Sequence, residues 1–236
     1  MADSYAFTAI GVIHSPCKEK FAVPRQARLV PELRAQVEIL PEYARDEAFH
    51  TLEGFSHIWL LSVFHRAIRE QWQPTVRPPR LGGNKTVGVF ASRSPFRPNP
   101  IGMSLVALTR VERREGVLFL DIEGCDLVEG TPIIDIKPYL PYADQQPNAR
   151  SGYTGDIAMA LLPVTFSDEA RRFCQGYEGQ GYDNLTVLVT RLIQQDPRPA
   201  YVAMQAERQY VFRLYDFDVV FSVNAEGAMV ETFRAV

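Results

Sequence analysis

Ser92-Arg93-Ser94-Pro95-Phe96-Arg97-Pro98-Asn99-Pro100-Ile101-Gly102 is the stretch on which the reading of this chain turns. Three prolines, an asparagine, a glycine and two arginines fall within eleven residues. Proline fixes φ and removes a backbone donor, so the run is neither a helix nor a central strand. It reads as a stiff loop that holds two guanidinium groups in set directions. An apolar run, Thr86 to Ala91, leads in, and another, Met103 to Leu108, leads out. Both read as strands. A rigid basic loop between two buried strands suits an anionic or carboxylate-bearing ligand. A plain crossover with solvated arginines is the alternative.

Outward from this loop the chain reads as mostly β. Phe7 to Ile13 is apolar and β-rich, and Arg34 to Leu40 alternates with Val37 and Ile39 on one face, the period of a half-buried strand. His57 to Phe64 is almost continuously apolar and reads as a central strand. Met103 to Val111, Val117 to Glu123 and Thr131 to Ile136 follow, with Arg113-Arg114-Glu115-Gly116 as a hairpin turn. Only Glu42 to Leu52 suggests a short helix. Many short strands with Pro/Gly connections predict a barrel or sandwich.

Ala143 to Asp156 is polar and aperiodic and reads as a linker. A second unit follows. Ala160 to Phe166 is strand-like, Ser167 caps a helix running to about Gln175, and Asp183 to Gln195 carries helical apolar spacing. Gln209 to Phe221 and Ala228 to Phe233 flank a hairpin at Asn224-Ala225-Glu226-Gly227. The expectation is therefore an N-terminal β unit over residues 1–142, a linker over 143–156 and a small α+β unit over 157–236.

The 236 residues suffice for one large domain, or for one medium and one small unit. No apolar run reaches the ~20 residues a membrane helix needs, and Met1 to Tyr5 lacks the pattern of a signal peptide. Cys17, Cys125 and Cys174 are odd in number and far apart, which predicts reduced thiols in a cytoplasmic protein, no disulfide framework and no zinc site. The four histidines form no metal-ligand spacing, and no metal is expected. Net charge is −3, but it is unevenly spread: Arg66 to Arg114 has ten Lys/Arg against two Asp/Glu, while residues 115–236 have nine against eighteen. That asymmetry permits a basic face for a phosphate-rich partner, or pairing of those arginines with the acidic half. No Gly-x-Gly-x-x-Gly opens a helix after a strand, and there is neither a P-loop nor a Gly-x-Ser-x-Gly elbow.

Four segments concentrate functional-looking residues: Ser15 to Gln26, Phe55 to His65, the Pro/Arg loop, and Asp126 to Pro141. Together they resemble the TsaA-like family, in particular its TrmO type, over nearly all of residues 5–142, and more weakly through Asp196-Pro197-Arg198-Pro199-Ala200-Tyr201. The resemblance implies a non-Rossmann β-barrel that binds S-adenosyl-L-methionine and forms a homodimer. It also implies methylation of the N6 nitrogen of threonylcarbamoyladenosine in the tRNA anticodon loop. A related enzyme acting on another RNA or small molecule, and a non-catalytic RNA-binding barrel, remain as alternatives.

Carried over residue by residue, the resemblance assigns the cofactor to Pro24, Arg25, Gln26, His65, Arg66, Arg93 and Met103, and to Gly130, Thr131, Pro132 and Ile133. Arg93 suits the methionyl carboxylate because a guanidinium binds carboxylates bidentately. Alternate residues of a strand share a face, so Asp135, Lys137 and Tyr139 become candidates for proton acceptance and substrate positioning; a buried Asp–Lys pair is the alternative. Arg97, Arg198 and Tyr201 are candidate tRNA contacts.

Overall fold

The computed structural model describes residues 3–81, 85–155, 161–177, 184–198 and 208–236. Six strands close into a barrel: β1 (Gly11–His14), β2 (Arg34–Ile39), β3 (His57–Val63), β6 (Ile101–Arg114), β7 (Val117–Glu123) and β8 (Pro132–Pro138), in the order β1-β2-β7-β6-β3-β8. All neighbours are antiparallel. Alternation fills the interior: Val37 and Ile39 from β2, Leu118, Leu120 and Ile122 from β7, and Ile58 and Leu60 from β3 are buried. Closure leaves no unpaired edge. The β6–β7 turn carries Glu115 and Gly116 at positive φ, the geometry that matches strand twist in two-residue hairpins.

Two expected elements differ. Thr86 to Ala91 is not a barrel strand. Only β5 (Val87–Gly88) is extended, and it pairs with β4 (Thr75–Val76) as a separate two-stranded ribbon. Val89 to Ala91 then form a 3-10 turn that buries Val89 and turns Phe90 outward. A short apolar run fits a turn as well as a strand when one side chain alone finds the core. The Glu42 to Leu52 helix shrinks to α1 (Asp46–Phe49) and a 3-10 turn, with no buried residue in either.

After a helical turn, α2 (Pro141–Asp144), the C-terminal unit forms a four-stranded sheet in the order β10-β11-β12-β9. These are β9 (Val164–Phe166), β10 (Gln209–Leu214), β11 (Phe217–Val223) and β12 (Ala228–Ala235). Gln209 to Phe221 is thus two strands. Tyr215 at φ 53° turns the chain between them, a role usually taken by Asn or Gly. Helices α3 (Asp168–Tyr177) and α4 (Leu185–Gln194) supply the other apolar faces, Ala170 and Cys174, and Leu188, Val189, Leu192 and Ile193. The Ser167 hydroxyl accepts the Ala170 N–H at 3.0 Å and caps α3.

Residues 15–24 run between barrel and sheet. Cys17 bridges Leu214, and the Tyr215 N–H donates to the Pro16 carbonyl at 2.8 Å. The Phe21 ring stacks on Tyr210 and Phe221. All three cysteines are buried and none is in a disulfide. Burial pushes the Cys17 thiol up to about 12 and the Cys125 thiol further still. A thiol reagent at neutral pH should therefore find no fast-reacting group in the native protein and three after denaturation; rapid native labelling would contradict this packing.

Candidate functional site

A cleft of about 660 Å³ opens beside the start of β6. Its walls come from residues 20–26, the 3-10 turn His65–Ala67, the Pro/Arg loop and residues 126–131. The loop is stiff for a stated reason beyond its prolines. Ser92 Oγ accepts the Ser94 N–H, Ser94 Oγ accepts the Phe96 N–H, and Arg97 Nη1 donates to the Ser92 carbonyl at 3.1 Å. Gly102 has no room for a side chain, since a Cβ would sit 2.6 Å from Ser62 Oγ.

One side chain ties three of the motif segments together. Arg66 donates to the carbonyls of Lys18, at 2.8 Å, and Glu129, at 3.2 Å, while Lys20 Nζ donates to the Arg66 carbonyl. Glu129 in turn accepts the Ser15 N–H at 2.6 Å and faces Lys18 and His14. His14 also meets Glu38 at 2.7 Å. Burial works against the His14 imidazolium, but hydrogen bonds to Glu38 and Glu129 outweigh it, so its pKa lies above the ordinary 6.5. A raised folded-state pKa adds stability at low pH that fades as pH rises through it. The thermal midpoint lost in His14→Gln should thus be larger at pH 6 than at pH 9; an equal loss at both would contradict the pairing.

The cleft holds a carboxylate that the sequence did not single out by role. Asp126 accepts the Ser104 hydroxyl at 2.5 Å, and burial raises its pKa. Hydrogen bonds and the Arg93 charge oppose that shift without cancelling it. A buried acid of this kind is completed by a cation placed against it. Arg93 Nη1 donates to Gln26 Oε1 at 2.6 Å across the cleft. Apolar surface comes from Val23, Phe64, Phe96, Leu127 and Val128. His65 is held below the usual histidine pKa by burial and by the Arg66 charge, which favours its neutral form.

The structure brings many of the expected site residues together. Pro24, Arg25, Gln26, His65 and Arg66 line the cleft, as do Arg93, Arg97, Met103 and Thr131. Gly130 and Pro132 flank Thr131 outside the lining, with Gly130 in a turn at φ +75°, and Ile133 is buried in the barrel core. Asp135, Lys137 and Tyr139 lie elsewhere. A bulge opposite Leu61 and Ser62 shifts the β8 alternation. Ile133 and Ile136 consequently pack on the core, while Asp135 and Lys137 are half-exposed or more and pair with each other at 2.8 Å. Tyr139 packs near His57 and Trp59. Arg198 is 5% exposed and held by Asp196 at 2.7 and 2.9 Å. Arg25 donates to the carbonyls of Asp196 and Arg198, so the wall of the cleft is tied to the C-terminal unit. Tyr201 lies outside the described residues.

A closed barrel whose ligand cleft is made by loops at one end, with both an acid and guanidinium groups in it, defines a small-molecule-binding β-barrel outside the doubly wound dinucleotide folds. The chain belongs to the tRNA-methyltransferase O family: the model of that family's N-terminal domain matches residues 12–145, and the TrmO C-terminal domain matches residues 159–236. It is 45% identical over 225 residues to the tRNA (adenine(37)-N6)-methyltransferase of Escherichia coli K12, covering 95% of each chain. A "Probable S-adenosyl-L-methionine-binding protein" of Pyrococcus abyssi is 43% identical over 147 residues, 62% of this chain and 74% of that relative. The crystal structure of TrmO from Pseudomonas aeruginosa superposes with a TM-score of 0.80 at 35% identity, covering 99% of both chains.

Proposed function

We propose that this chain methylates the N6 nitrogen of adenosine 37 in tRNA, using S-adenosyl-L-methionine and taking threonylcarbamoyladenosine as the acceptor. The observation that carries this reading is the cleft that sets Asp126 and Arg93 among apolar walls. Its volume suits a cofactor of that size. Arg93 binds the methionyl carboxylate, Asp126 with Ser104 receives a positive centre, and the apolar wall takes the purine. Pro24, Gln26, His65, Met103 and Thr131 complete the enclosure, while Arg25 and Arg66 hold its walls in place. When bound, the cofactor supplies an electrophilic methyl on a sulfonium. The protein's contribution is to fix the acceptor nitrogen in line and exclude water.

The acceptor nitrogen must lose a proton as it gains the methyl. Asp135 is the proposed acceptor, with Lys137 and Tyr139 positioning the base. These residues share an outer barrel face with Met103: Leu61 pairs with Met103 on one side and Asp135 on the other. Beside the Asp135–Lys137 pair the face is apolar, with Ile101 and Met103 exposed and Trp59, Leu61 and Val63 partly so. A second copy docked there forms the proposed homodimer and carries Asp135 toward a neighbouring cleft. Residues 1–142 are taken as the cofactor unit and 157–236 as an aid to tRNA recognition, with Arg97 and Tyr201 on the tRNA side. Arg198, locked onto Asp196, shapes the turn that Arg25 grips. The proposed compartment is the cytoplasm. Among the described residues no helix is long and apolar enough to cross a membrane.

The test is transfer of labelled methyl from S-adenosylmethionine to tRNA, read by nucleoside mass spectrometry. Methylated threonylcarbamoyladenosine is expected, and tRNA lacking that modification should be a poor acceptor. Equal methylation of both would overturn the substrate assignment, and no methyl in RNA would overturn the activity. Asp135→Asn should lower turnover at unchanged cofactor affinity; unchanged turnover would remove Asp135 from the chemistry.

A further inference from the structure

Residues 68–81 and 85–90 form an arm outside the barrel, built on the β4–β5 ribbon and leading directly into the Pro/Arg loop. Among the described residues of the arm Val89 alone is buried, and the two large aromatic side chains are left exposed. Trp72 is 49% exposed and Phe90 72% exposed, and their rings lie 6.2 Å apart at 33°. Two large aromatic rings held against each other in solvent gain little from folding, so their burial energy is still available to a partner.

The surroundings decide which partner. Residues 66–97 contain seven Lys/Arg and one acidic residue, Glu70. Arg110, Arg113 and Arg114, on the far part of β6, pair with Glu112, Asp46 and Asp121. Among the described residues, Arg69, Arg77, Lys85, Arg93 and Arg97 form no ion pair with a carboxylate. Apart from Arg93, whose charge acts on Asp126, these cations are not engaged by carboxylates of the acidic half among the described residues. The Arg69 guanidinium lies 3.7 Å from the Phe96 ring centroid, a cation–π contact that fastens the arm to the loop lining the cleft. Aromatic rings set among unneutralised cations are the recurring chemistry of single-stranded nucleic-acid binding: cations track phosphates and π-faces stack bases.

We infer that Trp72 and Phe90 form a stacking platform for unpaired bases of the tRNA anticodon loop next to the base being methylated. This rests on the tRNA reading above and names the surface that does the recognising. The arm continues into the loop that carries Arg93 and Arg97, so a base stacked on it lies on the strand entering the cleft. Stacking carries little charge dependence, whereas phosphate contacts by Arg77 and Lys85 release counterions. The two contributions are separable.

The experiment uses the full chain and an anticodon stem-loop RNA as probe. In a Trp59→Phe background Trp72 is the only tryptophan, since the chain has two. Its fluorescence should be quenched on adding the stem-loop and unchanged on adding a blunt RNA duplex. The double variant Trp72→Ala, Phe90→Ala should bind the stem-loop about tenfold more weakly, with S-adenosylmethionine affinity and the salt slope unchanged. Arg77→Ala with Lys85→Ala should flatten the salt slope instead. If the wild-type chain methylates tRNA but the aromatic double variant binds and methylates equally well, the platform is refuted and the tRNA reading stands. If RNA affinity is unchanged but a wild-type dimer becomes monomeric, the rings face another protein copy and the inference is wrong. If the wild-type chain neither binds nor methylates tRNA, the parent reading falls and this one with it.

Discussion

Arg93→Ala is expected to weaken S-adenosylmethionine binding about 30-fold, measured by calorimetry, while shifting the thermal midpoint of the ligand-free protein by less than about 2 °C. The asymmetry follows from where Arg93 sits. It is exposed on the Pro/Arg loop and donates to Gln26 across the cleft, so the empty protein loses little. A charge-assisted hydrogen bond to a carboxylate contributes about 1.5–3 kcal/mol, roughly 10- to 150-fold in affinity. Arg93→Lys should recover only part, because an ammonium cannot match both carboxylate oxygens at once. A variant that binds normally would move the carboxylate end of the ligand elsewhere in the cleft and undo its proposed orientation.

Phe217→Ala should cost about 3–5 kcal/mol of stability and lower the thermal midpoint by roughly 6–20 °C. Phe217 is fully buried. Its ring makes edge contacts with Phe173 at 5.3 Å, Tyr177 at 5.4 Å and Phe233 at 5.5 Å. Truncation leaves a cavity bordered by aromatic side chains fixed on α3 and β12, so collapse into it is poor. A loss below about 1 kcal/mol would mean that α3 does not pack on β11 as described.

The barrel was readable because its strands alternate over buried cores: Val37 and Ile39 announce β2, and the apolar run from His57 announces β3. The misreadings have local causes. Thr86 to Ala91 has β-type composition, yet Phe90 points to solvent and Val89 alone is buried. Tyr215 takes a left-handed conformation without being Gly or Asn, so the β10–β11 turn carries no sequence signal. Alternation puts Asp135, Lys137 and Tyr139 on one face, outside the cleft, but nothing in a period of two says which face. That is settled by the bulge opposite Leu61 and Ser62. Asp126 stood inside a noted motif and drew no role, because its importance depends on burial beside Ser104, 22 residues away in the chain.

The wedging of residues 15–24 between the two sheets has a practical consequence. Should β10–β12 lift away, Phe21 would be stripped of Tyr210 and Phe221, and Cys17 would regain the acidity and reach of an ordinary thiol. Alkylation of that one sulfur would then clock how often the two halves part. A truncated barrel would carry a greasy, oxidisable scar at the same spot.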